Sequence, residues 1–317
     1  MVSVREPPRP RVSVVVCTRN RPERLAALLA SLRSQRLPAD QFEVIVVDDC
    51  SQPPAAIREA APANVWIVRN DPSLGPAAAR NRGWRLARGA LVAFTDDDCV
   101  ADPDWLAAAL ASAERNPDAI IQGRTNPDPR EIGNDGVLSR SVRVERLGPN
   151  YETCNMFYSR SLLERLGGFD EGYGLRPAAE DTDLAWRAIE RGHRTVFAGD
   201  ALVLHAVERL GVRGMLRVAT RWTEATRVLA EHPQTRSMLY RGVFWNVWHY
   251  LMWRSLLGIA GPGWLRRLLL TRHLLELHKR ARVEGGGPWA IPFFVVHDLL
   301  ECWAVTRGAI RYRTPVL

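Results

Sequence analysis

Three consecutive carboxylates, Asp96, Asp97 and Asp98, directly follow the apolar run 90–94. In an open parallel sheet, ligands bind beyond the carboxyl ends of the strands, so these acids are expected at the edge where a ligand would lie. Adjacent carboxylates repel one another, and a nearby cation relieves that repulsion. A hard divalent ion held by one or two carboxylates and by phosphate oxygens meets this need. The alternative is a solvated acidic turn that only caps a helix.

The first two apolar runs of the chain also end in polar residues. These are Thr18 and Asn20 after the first run, and Asp48 and Asp49 after the second. A carboxylate at such a position accepts hydrogen bonds from a nucleobase N–H or a ribose hydroxyl. Arg80, on the next predicted helix, carries the planar guanidinium that suits a phosphate group. Each residue alone is also common in ordinary turns and helices.

A candidate general base lies in the stretch 180–187, EDTDLAWR. On a helix, Asp181 shares a face with the apolar residues three, four and seven positions further on. Burial on that face would raise the pKa of the carboxyl and make it a better proton acceptor from a hydroxyl. The alternative is an acid that only stabilises the first helical turn, a description that fits Glu180 and Asp183 equally well.

Short apolar runs alternate with helical patterns over the first 205 residues, which predicts an α/β domain with a mostly parallel sheet covered by helices. Strands are predicted at 12–17, 42–47, 65–68, 91–94, 153–158, 195–197 and 201–204. Helices are predicted from Pro22 and Asp102 and over 75–88, 161–166 and 180–191, with a loop at 126–136.

From about residue 206 the pattern changes to helices rich in Arg, Leu and Trp, so we divide the chain into domains 1–205 and 206–317. The first part has a net charge of −2; the second has +10 and seven of the eleven tryptophans. One interpretation is a helical subdomain with a Leu/Trp core, which would also suit a homodimer interface. The other is a region that lies on an anionic membrane surface. Nucleic acid is not expected, because no recognised motif accompanies the basic charge.

The five cysteines are scattered and form no CxxC pair, which predicts a reducing, cytoplasmic compartment. The N-terminal residues lack the apolar segment of a secretory signal. Charged residues interrupt every long apolar stretch, so no membrane-spanning helix is expected. Peripheral association with the inner face of the cell membrane is the form of membrane contact that remains.

The ordered motifs of residues 12–205 resemble the family 2 glycosyltransferases, whose nucleotide-binding domain has the GT-A fold. The matching stretches are VSVVVCTRNRPERLAALLASL, FEVIVVDDCS, GPAAARNRGWRLARGALVAFTDDDCVADPDWL, CNMFYSRSLLERLGGFDEGYG and EDTDLAWRAIERGHR. The resemblance implies transfer of a sugar from a nucleotide diphosphate donor, with UDP or dTDP as first guesses, to a hydroxyl of a saccharide, glycolipid or small molecule. It also implies a single-displacement reaction with inversion, and the helical region predicted from residue 206 onward lies outside the resemblance.

The same resemblance assigns roles to individual residues. Asp49 would contact the base or ribose, and Asp96 and Asp98 would form the DxD-type pair, with Asp98 favoured as the direct metal ligand. Asp181 would be the general base, supported by Glu180. Further donor contacts are expected from Thr18, Asn20, Arg80 and Asp97.

His205 follows a predicted strand in the sequence VLH, where some family members place a metal-binding histidine. A nitrogen ligand beside carboxylates favours Mn²⁺ over Mg²⁺, although a lone histidine is often structural. Asn155 and Met156 match a segment that lines the acceptor side in relatives, and their strand position explains them as well.

Two other classes compete with this interpretation. A nucleotidyltransferase, which makes a nucleotide sugar, normally has a Gly-rich phosphate loop near the first strand, and CTRNRPERL is not such a loop. A dinucleotide-dependent dehydrogenase needs GxGxxG there, which is absent. A non-catalytic sugar- or lipid-binding protein is the alternative that is not an enzyme.

Overall fold

The computed structural model describes residues 9–57, 64–175 and 179–317. The chain divides into two compact units, Met1–Pro129 with Val142–Ala206, and Arg130–Ser141 with Val207–Leu317. The strands of the described residues are β1 (Val12–Thr18), β2 (Phe42–Asp49), β3 (Val65–Asn70), β4 (Leu91–Asp96), β5 (Cys99–Ala101), β6 (Ile120–Pro127), β7 (Ser139–Arg140), β8 (Met156–Ser159), β9 (Thr195–His205) and β10 (Glu208–Arg209). Their helices are α1 (Pro22–Arg33), α2 (Pro76–Leu86), α3 (Trp105–Arg115), α4 (Arg160–Leu166), α5 (Glu180–Glu190), α6 (Gly211–Ala219), α7 (Trp222–Ala225), α8 (Arg227–Glu231), α9 (Val247–Ile259), α10 (Gly263–Val283) and α11 (Ala290–Arg311).

The first unit is built on an eight-stranded mixed sheet in the order β3-β2-β1-β4-β8-β6-β9-β5. The four strands at one side, β3 to β4, are parallel neighbours, and β6 also pairs with β9 in parallel. The strands β8 and β5 run antiparallel to their neighbours. The predicted α/β class is therefore confirmed, with a larger antiparallel share than the sequence indicated.

Helices cover both faces of this sheet because successive residues of each strand point to opposite sides. Val14 and Val44 pack in one core with α1 and α3, whereas Val15 and Ile45 pack in the other with α2, α4 and α5. Each face therefore has its own apolar core.

The strand registers bring the polar residues at the carboxyl ends of β1, β2 and β4 to the same edge of the sheet. Cys17 of β1 pairs with Asp96 of β4, and Thr18 pairs with Asp48 of β2. At the far side of the sheet, β5 pairs Cys99 with His205, the last residue of β9. The turn between β4 and β5 therefore brings Asp98 close to His205.

The structure differs from the predicted elements around β9. Residues 195–205 form one continuous strand, with a register irregularity against β6 at Gly123, where two short strands were predicted. The strands β5 and β6 were not predicted, and β6 extends to Pro127, into the stretch expected to be a loop.

The second unit is helical, apart from the short pair β7–β10. One of its cores joins Leu277 of α10 to Phe293 and Phe294 of α11, and another contains Leu229 and Val305. Its helices are interrupted near residues 232, 261 and 285. Among the described residues, every helix is too short or too polar to cross a bilayer.

Candidate active site

Arg80 connects the acidic end of β4 to the first turn of α5. Its guanidinium donates to Glu180 Oε1 at 2.8 Å and to Asp96 Oδ1 at 3.2 Å, and it lies over the ring of Phe169. Burial alone would lower the pKa of Arg80, but Asp96 and Glu180 raise it, so the group stays positively charged. Glu180 is buried, whereas the Asp96 side chain is 34% exposed. The Arg80 guanidinium therefore holds two of the predicted acids together at the edge of the sheet.

Asp181 lies beside this cluster at the start of α5. It accepts hydrogen bonds from the backbone N–H of Thr182 at 2.9 Å and, more weakly, of Thr153 at 3.4 Å. Burial first, and then the charge of Glu180, raise the pKa of Asp181 to about 7, while Arg80 opposes that shift. A carboxyl with this pKa is the stronger proton acceptor that its helical position predicts.

Asp97 turns inward from the same segment and is 5% exposed. It accepts from Thr18 Oγ1 at 2.7 Å and from Arg21 at 3.3 Å. Burial and then the charge of Asp98 raise the pKa of Asp97 to about 7. Thr18 and Asp97, both predicted as donor-binding residues, are thus bonded to each other and connect β1 to the acidic turn.

The two carboxylate oxygens of Asp98 differ in their hydrogen bonding. Oδ2 accepts from Arg21 at 2.8 Å, whereas the buried Oδ1 has no hydrogen-bond partner among the described residues. That oxygen lies 3.6 Å from Nε2 of His205. His205 Nδ1 lies 2.9 Å from the carbonyl oxygen of Ala206, and donation there would leave Nε2 as a ligand atom.

The donor set around Asp98 fits a divalent cation. Ligand atoms of Asp98, Cys99 and His205 lie within 4.8 Å of one another. Burial raises the pKa of the Cys99 thiol well above its ordinary value, which favours the thiol over the thiolate. The buried carboxylate oxygen of Asp98 and the imidazole nitrogen of His205 are a donor pair that Mn²⁺ accepts readily.

Asp49 is buried and already satisfied within the protein. Its two oxygens accept from Asn70, Ser73 and the backbone N–H groups of Leu74 and Gly75, at 2.6–3.0 Å. Burial acts to raise the pKa of Asp49, but these hydrogen bonds outweigh it and lower the pKa. Four donors fill the acceptor sites of a carboxylate, so a nucleobase would have to share or replace one of them.

Asn20 also has a structural partner, because its side-chain oxygen accepts from the backbone N–H of Gln52 at 2.7 Å. Its backbone N–H donates to Ser51 Oγ at 2.9 Å. Asn20 therefore joins the loop after β1 to the loop after β2, and it is exposed at the edge where a donor is expected.

Asn155 and Met156 do not have the surroundings expected of acceptor-binding side chains. Both are buried, and Asn155 accepts from Trp105 Nε1 at 2.8 Å while it donates to the carbonyl oxygens of Arg124 and Ala201. Met156 is fully buried in the core that contains α2, α4 and α5. The structure thus shows packing and hydrogen bonding in the interior for both residues and gives the acceptor-binding prediction no support.

Replacing Asn155 with alanine is expected to destabilise the fold by about 2 kcal/mol or more, because it leaves one buried indole N–H and two carbonyl oxygens unpaired. Urea unfolding of the purified variant measures this loss. An unchanged unfolding midpoint together with a raised KM for the acceptor would instead support a binding role.

Sequence reasoning did not single out Arg21, although it lies in the stretch CTRNR directly after β1. Arg21 contacts both Asp97 and Asp98, at 3.3 and 2.8 Å, and so offsets part of the charge of the acidic turn. An arginine that follows a strand end offers only a weak signal, because its partners lie 76 and 77 positions away.

Comparison with known proteins agrees with this geometry. Residues 13–167 match the model described as "Glycosyl transferase family 2". Residues 13–167 are therefore similar to glycosyltransferase family 2. The pre-mycofactocin glycosyltransferase of Mycobacterium tuberculosis (strain ATCC 25618 / H37Rv) is 32% identical over 209 residues, which are 61% of this chain and 42% of that protein. The glycosyltransferase AglE of Haloferax volcanii is 27% identical over 214 residues, or 64% and 69% of the two chains. The match therefore spans less than half the length of the first of these family relatives.

Solved structures of glycosyltransferases share the fold. The mannosyltransferase PcManGT from Pyrobaculum calidifontis, solved in complex with GDP-Man and Mn²⁺, has a TM-score of 0.62 and 23% identity, covering 93% of this chain and 88% of that one. S. aureus TarS 1–349, in complex with UDP-GlcNAc, has a TM-score of 0.53 and 18% identity, covering 96% and 92%. The GT-A fold expected from the family 2 motifs is therefore confirmed.

Proposed function

We propose that this chain is a metal-dependent glycosyltransferase that moves a sugar from a nucleoside diphosphate to an acceptor hydroxyl with inversion. The observation that carries the proposal is the Arg80 bridge, which holds Asp96 at the donor edge and Glu180 beside Asp181 in one cluster. A base and a phosphate-binding group within one cluster are what a single displacement at the anomeric carbon requires.

In this reaction the bond between the anomeric carbon and the diphosphate oxygen breaks while the acceptor oxygen bonds to the same carbon. Asp181 takes the proton of the acceptor hydroxyl on the face opposite the leaving group, which inverts the configuration. Arg80, held in its charged state by Asp96 and Glu180, stabilises the negative charge that develops on the diphosphate. Glu180 fixes Arg80 and, by its charge, keeps the pKa of Asp181 raised.

Asp98 and His205, with Asp96 at the same edge, are the residues proposed to hold the divalent cation. When bound, such an ion neutralises the diphosphate and acts as a Lewis acid toward its oxygens. The histidine nitrogen favours Mn²⁺ over Mg²⁺. The nucleotide would bind against loops that are held together by hydrogen bonds of Asp49, Thr18, Asn20 and Asp97.

The donor is proposed to be a UDP- or dTDP-sugar, and GDP-sugars join the test because a structural neighbour was solved with GDP-Man. The decisive experiment is a panel of nucleotide sugars with Mn²⁺ or Mg²⁺, scored by release of nucleoside diphosphate with and without saccharide, glycolipid and small-molecule acceptors. Release that depends on both metal and acceptor is expected for one donor class. A donor that binds without release would favour the non-catalytic alternative, and formation of a nucleotide sugar from a sugar phosphate would favour a nucleotidyltransferase.

Turnover is expected to fall as the pH drops below about 7. Asp181 accepts a proton only when ionised, and burial with the Glu180 charge raises its pKa to about 7, so the base is progressively protonated below that pH. The measurement is kcat at saturating donor between about pH 5 and about pH 9. Because the pKa of Asp97 is also raised to about 7, nucleotide affinity is measured over the same range. A kcat that stays constant down to pH 5 would contradict the assignment.

The acceptor side is proposed to involve the helical unit, 206–317 in the sequence division, acting at a membrane surface. This unit exposes large apolar side chains on α9, α10 and α11, among them Leu257, Trp264 and Trp303, at 75, 69 and 53%. An apolar groove of about 400 Å³ is lined by Trp253, Leu256, Trp303 and their neighbours on α9 and α11. Exposed tryptophans beside many arginines suit the headgroup region of an anionic bilayer, where a glycolipid acceptor would be found.

The protein is expected to bind vesicles of phosphatidylglycerol at low salt. Its binding should be weaker to vesicles of phosphatidylcholine, and weaker to either lipid at high salt. Trp264→Ala should reduce this co-sedimentation, whereas Trp66→Ala, which removes an equally prominent tryptophan (54% exposed) from β3, should not. If Trp264→Ala instead changes the sedimentation coefficient without affecting lipid binding, the face is an interface between two copies of the chain.

A further inference from the structure

The helical unit contains a second buried cluster of potential metal ligands. His249 lies on α9, and His297, Asp298 and Glu301 lie on α11. Each is less than a tenth exposed, and His249 is 0% exposed. The cluster belongs to Val207–Leu317 and shares no residue with the candidate active site.

The distances within this cluster approach those of a metal coordination sphere. Glu301 Oε2 lies 3.4 Å from His249 Nε2 and 4.0 Å from His297 Nδ1. Ligand atoms of His297, Asp298 and Glu301 lie within 4.8 Å of one another. In a tetrahedral zinc site with bonds of about 2.1 Å, neighbouring ligand atoms are about 3.4 Å apart. The 3.4 Å separation between Glu301 and His249 equals this spacing, and the 4.0 Å separation between Glu301 and His297 exceeds it.

His249 supplies an independent indication of a ligand. Neither of its ring nitrogens has a hydrogen-bond partner among the described residues, and the side chain has no access to water. Nε2 lies near Glu301 without hydrogen-bond geometry. A buried, unsatisfied imidazole is costly, and coordination of an ion by Nε2 would remove part of that cost.

The contacts around the cluster orient Glu301 and balance the remaining charge. Trp222 Nε1 donates to Glu301 Oε1 at 2.8 Å, while Oε2, which accepts a long hydrogen bond of 3.4 Å from Asn246 Nδ2, lies near the two imidazoles. Arg280 donates to both oxygens of Asp298, at 2.9 and 3.1 Å, and neutralises that carboxylate. Outer hydrogen bonds of this kind are what hold metal ligands in position.

We propose that His249, His297 and Glu301 bind one divalent transition-metal ion of the zinc class, which ties α9 to α11. His297 and Glu301 are four residues apart on α11, so they share one helix face, and His249 meets them from α9. Two imidazoles and one carboxylate in a buried pocket suit Zn²⁺ better than Mg²⁺, which prefers oxygen ligands and retains water. The ion is structural, and its binding does not depend on the transferase reaction.

The test uses the full chain carrying Asp98→Asn, which removes the cation ligand of the first unit. The protein is stripped with a chelator and then titrated with Zn²⁺, or with Co²⁺ as a spectroscopic substitute. One Zn²⁺ per chain is expected, together with the intense visible absorption of four-coordinate Co²⁺. His297→Gln and Glu301→Gln should each weaken Zn²⁺ binding at least about 100-fold. His273→Gln is the matched control, because His273 lies on α10 and contacts Ser255 outside the cluster.

Absence of stoichiometric Zn²⁺ binding, or equal affinity in both variants and in the control, would overturn the proposal. Circular dichroism checks that each variant is folded. If both variants fail to fold, the test is the Co²⁺ absorption spectrum of the Asp98→Asn chain, in which His249, His297 and Glu301 are unchanged. A four-coordinate spectrum with nitrogen and oxygen ligands supports the site, and its absence rejects it.

Discussion

Asp181→Asn is expected to lower kcat by about 10²–10⁴-fold while nucleotide affinity changes by less than about twofold. Asparagine has nearly the shape of aspartate but cannot accept the proton of the acceptor hydroxyl. Asp181 accepts hydrogen bonds from the backbone N–H groups of Thr153 and Thr182 and from the Thr182 hydroxyl, and none of these residues is proposed to hold the cation. The measurement is nucleoside diphosphate release at saturating donor and acceptor, with donor affinity determined separately by calorimetry.

The matched control for this variant is Glu190→Gln, which removes a carboxylate from the exposed end of the same helix. Its turnover should stay within about twofold of the parent protein, as expected for a surface position. Near-parental turnover in Asp181→Asn would show that another group accepts the proton. Glu152, whose charge helps to raise the pKa of Asp181, would then be the next residue to test.

Asp98→Asn is expected to weaken donor binding in Mn²⁺ by at least about 100-fold and to leave the much weaker metal-free binding unchanged. The buried Oδ1 of Asp98 has no hydrogen-bond partner among the described residues and lies 3.6 Å from His205 Nε2. An amide at this position cannot supply the negative charge that a divalent cation needs. Calorimetric titration with nucleoside diphosphate, with and without Mn²⁺, measures both affinities.

Asp200→Asn serves as the control for the loss of charge, because Asp200 is an exposed acid on the same strand as His205. Its Mn²⁺-dependent affinity should equal that of the parent protein. If Asp98→Asn retained the full Mn²⁺ effect, the cation would have to be held elsewhere on the donor edge, and Asp96 would be the remaining carboxylate to examine.

The strands that carry the site were predictable because their sequences are strongly apolar. β1 and β2 are long β-branched runs, and their buried positions follow directly from that pattern. β6 escaped prediction because only its first two residues are apolar before Gln122 and Gly123. β5 has three residues and depends on its pairing with β9, which no local pattern contains.

Spacing and the resemblance to a family singled out Asp181 as a candidate. The contacts of the other candidate residues depend on partners remote in sequence. Arg80 and Glu180 are 100 positions apart, so their ion pair is a property of the fold. Asp49 stood at the predicted edge, but its four donors come from the folded segment 70–75. For Asn155 the family resemblance suggested acceptor binding and its local position allowed a structural role, and the sequence does not contain the Trp105, Arg124 and Ala201 contacts that it makes in the interior.

The chain crosses between its two units three times, just after β6, just after β7 and just after β9. The strands β6 and β9 end opposite each other, with Pro127 in register with His205 and the Asp128 N–H donating to the His205 carbonyl oxygen at 2.8 Å. A chimera that exchanges the second unit therefore needs splice points near residues 129, 141 and 206. A graft made there keeps the backbone that orients His205, so a different second unit could be joined without changing the strands that carry the candidate site.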